Sequence, residues 1–135
     1  MFSFFKRFST LEIYTDGSSK NGVGSWAYII SKRGKNIIEK SGHVRRACSN
    51  TMEFQAAIEA LSSISVKSKI ILYSDSKILV ETMNFGVGPS AFQKQINILI
   101  TLSRKHIVVW RWVKAHNGDV LNERCDELCA LARQI

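Results

Sequence analysis

The sequence is poor in the residues that build covalent or metal-thiolate scaffolds. It has three cysteines, Cys48, Cys125 and Cys129. The number is odd and no pair has metal-ligand spacing, so neither a disulfide framework nor a zinc-thiolate site organises the chain. Cys125 and Cys129 stand at helical spacing and are expected to pack as small apolar side chains. A reducing compartment is the simplest inference, and the expectation is a protein inside the cell, in the cytoplasm, with a bacterial or viral source left open. No apolar run is long enough to span a bilayer. There is no internal repeat, linker or low-complexity tract, and the only proline is Pro89. Acids are in the minority, 11 against 19 Lys plus Arg, which leaves a net charge of +8. Such an excess points to a polyanion partner, nucleic acid or an anionic membrane, although charge alone also fits a basic protein with no such partner.

The 135 residues, 45% of them hydrophobic, suit one domain with one core. Residues 1–10 stand apart as an amino-terminal arm, with four Phe, Lys6 and Arg7 and no acid. This segment reads either as a short targeting or membrane-touching stretch or, the favoured reading, as an arm that packs on the domain or touches a partner, and residues 11–135 are expected to form the domain itself. Three strands are predicted over residues 11–15, 25–31 and 36–44, joined by short Gly-bearing turns as an antiparallel meander. The period then changes. Phe54, Ala57, Ile58, Leu61 and Ile64 fall at helical spacing, with Asn50 or Thr51 as N-cap and Glu53 in the first turn. A fourth strand is read over 69–74, a short helix over 76–85 closed by Gly86, and a further helix over 91–105. A fifth strand over 107–113 is followed by a polar loop and a last helix over 122–133. The apolar stripe of that helix is read as Leu121, Cys125, Leu128 and Leu131. The order βββαβα, then helix, strand, helix, predicts an α/β fold: a five-stranded mixed sheet with helices on its faces.

Four acids occupy junctions in this scheme. Asp16 ends the first strand, where Gly17, Ser18 and Ser19 read as a turn. Glu53 lies early in a helix, Asp75 ends the fourth strand, and Asp126 sits in the last helix away from its apolar stripe. Asp at a turn and Glu near a helix N-terminus each have an ordinary explanation taken singly. Neighbouring strands would set Asp16 and Asp75 side by side, with Glu53 and Asp126 approaching from helices. Carboxylates so gathered raise one another's pKa unless a cation is present. Mg²⁺ suits hard oxygen ligands, and two such ions about 3.5–4 Å apart activate water and stabilise a leaving oxygen in phosphodiester cleavage.

Five segments in order then carry a resemblance: Tyr14-Thr15-Asp16-Gly17-Ser18, Asn50-Thr51-Met52-Glu53, Ser74-Asp75-Ser76, Trp112-Val113-Lys114-Ala115-His116-Asn117-Gly118, and Asn122-Glu123-Arg124-Cys125-Asp126-Glu127-Leu128. The chain resembles a type I ribonuclease H from Leu11 to about Ala132. The resemblance implies an endonuclease that hydrolyses the RNA strand of RNA–DNA hybrids and leaves 5′-phosphate and 3′-hydroxyl ends. It implies a metal-binding and catalytic quartet of Asp16, Glu53, Asp75 and Asp126, with two Mg²⁺ per site and Mn²⁺ as a substitute. It places His116 on a mobile loop, assisting proton transfer or product departure. Gly17, Ser18, Ser49, Asn50 and Lys77 are the implied nucleic-acid contacts, with Ser49 and Asn50 toward the minor groove and its 2′-hydroxyls. A polymerase or replication complex as partner and a monomeric state complete the expectation.

Two positions depart from the family pattern. Cys48 stands where a Thr is usual, and Lys77 where many members have Gln, so that a phosphate replaces a base edge as its expected target. The short Val87-Gly88-Pro89-Ser90-Ala91 connection leaves no room for the basic protrusion of many bacterial members. The chain therefore resembles the compact forms, and Arg45, Arg46, Lys94, Lys114, Lys6 and Arg7 join Lys77 as candidates for grip. Two alternatives share the fold: a module that binds hybrids without cutting them, and a nuclease of the integrase or junction-resolvase type. The four acids weigh against the first, and the His116 loop and the 122–128 segment against the second.

Overall fold

The computed structural model describes residues 10–134, with the Ile37 side chain outside the description. The amino-terminal arm lies almost wholly outside these residues. The elements follow the chain as β1 (Thr10–Lys20), β2 (Val23–Lys32), β3 (Lys35–Arg45), α1 (Ser49–Ser62), β4 (Lys69–Ser74), α2 (Lys77–Phe85), a 3₁₀ turn (Ser90–Phe92), α3 (Gln93–Ser103), β5 (Ile107–Trp112) and α4 (Val120–Ala132). The sheet order is β3-β2-β1-β4-β5. β1, β2 and β3 pair antiparallel, while β4 joins β1 and β5 joins β4 in parallel. This is the five-stranded mixed sheet the sequence predicts.

Alternation along the strands sorts the core. Ile13 of β1, Tyr28 and Ile30 of β2, Ile70 and Leu72 of β4 and Trp110 of β5 share one buried cluster with Phe54, Ala57 and Leu61 of α1, Leu79 of α2, and Ile96 and Leu99 of α3. Burying a side chain such as Phe54 contributes roughly 1.5–3 kcal/mol. The intervening positions of β2, Ala27 and Ile29, project from the opposite face and are also fully buried. There α4 crosses β1, β2 and β3. Its buried residues are Asn122, Cys125 and Cys129. The thiols donate to the carbonyls of Tyr14 and Asp16 at 3.3 and 3.4 Å. Burial is their first reason to stay protonated, and it pushes both thiols well up.

Three local expectations are corrected. β1 does not end at Asp16; it runs on to Lys20 beside β2, and the chain reverses at Asn21-Gly22, both at positive φ. That is the backbone a two-residue hairpin of primed type requires. α1 begins at Ser49, with Cys48 rather than Asn50 or Thr51 at the N-cap position and no side-chain capping bond, so Glu53 lies beyond its first turn. In α4, Leu131 is 52% exposed, and Asn122 takes a buried place instead.

One consequence of the register positions the site. The parallel pairing of β1 with β4 stops at Thr15↔Ser74, while β1 continues along β2. β4 departs through Asp75 and Ser76 into α2, whose first free N–H groups are capped by Ser76 accepting from Leu79. Beyond Thr15, β1 therefore presents an edge without a strand beside it, at the carboxyl end of the parallel pair. This is where open α/β sheets leave room for ligands.

Candidate active site

Asp16 occupies that edge, 5% exposed, and Gly17 follows it. α1 passes so close that a Cβ on Gly17 would lie 2.2 Å from the Met52 carbonyl carbon and 2.3 Å from the Glu53 nitrogen. The Gly17 N–H donates to Glu53 Oε1 at 2.7 Å and to Asp16 Oδ1 at 3.0 Å. The glycine thus brings α1 onto the strand and holds two carboxylates with one amide. Asp75 joins them from the β4–α2 corner, and one carboxylate oxygen from each of Asp16, Glu53 and Asp75 lies within 4.8 Å of the others.

The cluster is electrostatically uncomfortable by itself. Burial first, then the charges of Asp75 and Asp126, push Asp16 up to about 8, against a smaller lowering by the Gly17 N–H and Glu53. Burial and the charges of Asp16 and Asp75 likewise raise Glu53 well above the usual carboxylate range. Among the described residues, no Lys, Arg or His forms an ion pair with any of the three. Hard oxygen donors, mutual repulsion and no basic partner fit a divalent cation.

The remaining expected site residues lie outside this group of three. Asp126 is exposed on α4, outside the group of three, though its charge reaches Asp16. His116 is exposed on the β5–α4 loop with φ 54°. Ser49 and Asn50 are exposed at the start of α1, and Lys77 at the start of α2. Ser18 accepts from Arg133 Nη1, which also donates to the buried Ser25 at 3.1 Å. Gly17 is buried with its N–H spent on carboxylates, so its visible part is in building the site. Arg133 escaped the sequence reading because its partners lie more than 100 residues away and nothing local marks the contact.

Comparison with known proteins settles the family. The ribonuclease H family model matches residues 9–134. The chain belongs to the ribonuclease H family. The ribonuclease H of Geotalea uraniireducens is 36% identical over 140 residues, covering 93% of this chain and 95% of that protein. That of Campylobacter jejuni is 38% identical over 128 residues, covering 87% of each. The fold matches that of LC11-RNase H1 in complex with an RNA/DNA hybrid, with a TM-score of 0.78 at 19% identity over 90% of this chain and 95% of the other. The protein is accordingly a ribonuclease H-type endonuclease, acting on the RNA strand of RNA–DNA hybrids, with an acid cluster suited to divalent metal.

Proposed function

We propose that hydrolysis of the RNA strand takes place at the β1–β4 notch, with Asp16, Glu53 and Asp75 as the ligands of two Mg²⁺ and Asp126 completing the set from α4. The observation that carries this reading is the convergence of three carboxylate oxygens within 4.8 Å, with no basic partner among the described residues. Bound divalent ions supply an activated water and charge stabilisation on the leaving oxygen, and Mn²⁺ suits the same donors. The chain's own residues orient the substrate and handle protons. His116, on an exposed loop, is free to carry a proton to or from the region of the scissile phosphate. Ser49 and Asn50 at the exposed start of α1 face the 2′-hydroxyls that separate RNA from DNA. Ser18 and Lys77 meet the sugar–phosphate backbone, with Gly17 shaping the floor. The products carry 5′-phosphate and 3′-hydroxyl ends.

The reading extends to a monomer working inside the cell, alone or beside a polymerase or replication complex. The free Cys48, Cys125 and Cys129 support a reducing environment. Among the described residues no helix is long and apolar enough to cross a membrane.

The test is a substrate panel of RNA–DNA hybrid, duplex DNA and duplex RNA, with Mg²⁺ and with chelator. Cleavage confined to the RNA strand of the hybrid, and dependent on Mg²⁺, is expected. Binding without cleavage would indicate a recognition module, and DNA cleavage would indicate a different nuclease of this fold.

A further inference from the structure

The corner that carries Asp75 is two residues long, between the end of β4 at Ser74 and the start of α2 at Lys77. Besides the bonds that Ser76 accepts from the Leu79 and Val80 N–H groups of α2, three contacts hold it. The Val113 N–H donates to the Ser74 carbonyl at 2.9 Å, and the Ser76 N–H donates to Ser74 Oγ at 3.0 Å. The third comes from a side chain: the indole Nε1–H of Trp112 donates to the Asp75 carbonyl at 3.1 Å. Trp112 is the last residue of β5, is 42% exposed and lies outside the buried core cluster. The face of the same ring carries the ammonium of Lys77, whose Nζ lies 4.7 Å from the ring centroid.

We propose that Trp112 is a positioning residue for Asp75 and at the same time the platform that holds the Lys77 cation ready for a substrate phosphate. This rests on the reading of the site as a metal-dependent hybrid nuclease. Asp75 faces two buried carboxylates, and repulsion favours swinging its corner away whenever the cluster is without a cation. A contact to its backbone carbonyl resists that movement without using the carboxylate oxygens a metal needs. The ring edge does this, and the ring face is left for Lys77. A cation resting on an aromatic face keeps its N–H donors toward solvent, where a phosphate oxygen can take them. The two functions use different parts of one side chain and are separable by mutation.

Trp112→Phe keeps the face and removes the N–H. Outer contacts that orient a ligand change metal affinity by about 10–100-fold. Mn²⁺ binding to the protein alone, followed by calorimetry, is expected to weaken within that range. kcat falls with it, while KM for the hybrid stays near the wild-type value. Trp112→His, which keeps a ring N–H, recovers part of the Mn²⁺ affinity. Lys77→Met leaves Mn²⁺ binding in place, raises KM for the hybrid, and lowers the slope of log affinity against log salt by about 0.9, one phosphate contact on duplex. Unchanged Mn²⁺ affinity and kcat in Trp112→Phe overturn the proposal. So does Lys77→Met behaving like Trp112→Phe, and so does loss of cooperative unfolding in Trp112→Phe, which assigns the residue to the core. If the wild type cuts no hybrid while the Mn²⁺ effect of Trp112→Phe is present, the functional reading fails and the positioning of Asp75 stands.

Discussion

The backbone N–H of Gly17 lies 2.7 Å from Glu53 Oε1, and this hydrogen bond joins the strand edge to the helix that supplies the second carboxylate. The approach is possible only because residue 17 has no side chain, since a Cβ would fall 2.2–2.4 Å from the backbone of Met52 and Glu53. Gly17→Ala is therefore expected to destabilise the protein. Overpacking costs typically about 1–3 kcal/mol, and an obstacle made of backbone puts this case at or above the upper end. Denaturant unfolding measures the loss. An alanine variant as stable as the wild type would show that α1 shifts freely against β1.

The same glycine marks how far the sequence was legible. Asp16-Gly17-Ser18-Ser19 has the composition of a turn, and strand termination at Asp16 is the natural reading. β1 instead runs on to the reversal at Asn21-Gly22, where the sequence also reads a Gly-bearing turn, and Gly17 stays extended in β1. Its glycine serves a close approach by a helix 36 residues away, and local pattern does not distinguish that use from a turn. Alternation and helical spacing did carry the five strands and the helices, whereas the meeting of Asp16, Glu53 and Asp75 required β1 and β4 to be neighbours and was implied by the resemblance. The buried face of α4 was less legible, because the polar Asn122 is buried while the apolar Leu131 is exposed. The link from Trp112 to Asp75 depends on β5 lying beside β4, which no single segment encodes.

The raised carboxylates give the metal-free protein a defined pH dependence. Asp16 stands at about 8 in the folded protein against 3.8 ordinarily, because of burial and then its acidic neighbours. Between about pH 4 and 8 the folded state therefore keeps a proton that the unfolded chain has already released, and stability falls as pH rises through that window. Glu53 acts in the same direction. Urea midpoints in chelator should decline over the window. Asp16→Asn should flatten the decline and match or exceed wild-type stability at its upper end, and Mg²⁺ should restore the wild type by binding only the folded form. A midpoint independent of pH in the wild type would remove the electrostatic argument for a cation.

His116 is exposed on the β5–α4 loop and is not one of the three clustered carboxylate residues, so its removal should affect chemistry or release more than metal binding. Positioned proton-transfer groups contribute typically about 10²–10⁴-fold. His116→Ala is expected to slow turnover within that range while Mn²⁺ affinity stays at the wild-type value. Equal steady-state and single-turnover rates in the variant and the wild type would make His116 an ordinary loop residue.

The most direct test of the central claim is single-turnover cleavage of a hybrid with end-labelled RNA, comparing wild type, Asp16→Asn and Asp75→Asn in Mg²⁺ and in chelator. Each substitution keeps the side-chain size and removes one of the three converging carboxylates. RNA-strand cleavage by the wild type in Mg²⁺ alone, with 5′-phosphate and 3′-hydroxyl ends, and none by either folded variant, is the expected result. Substantial Mg²⁺-dependent cleavage by Asp16→Asn or Asp75→Asn would contradict it.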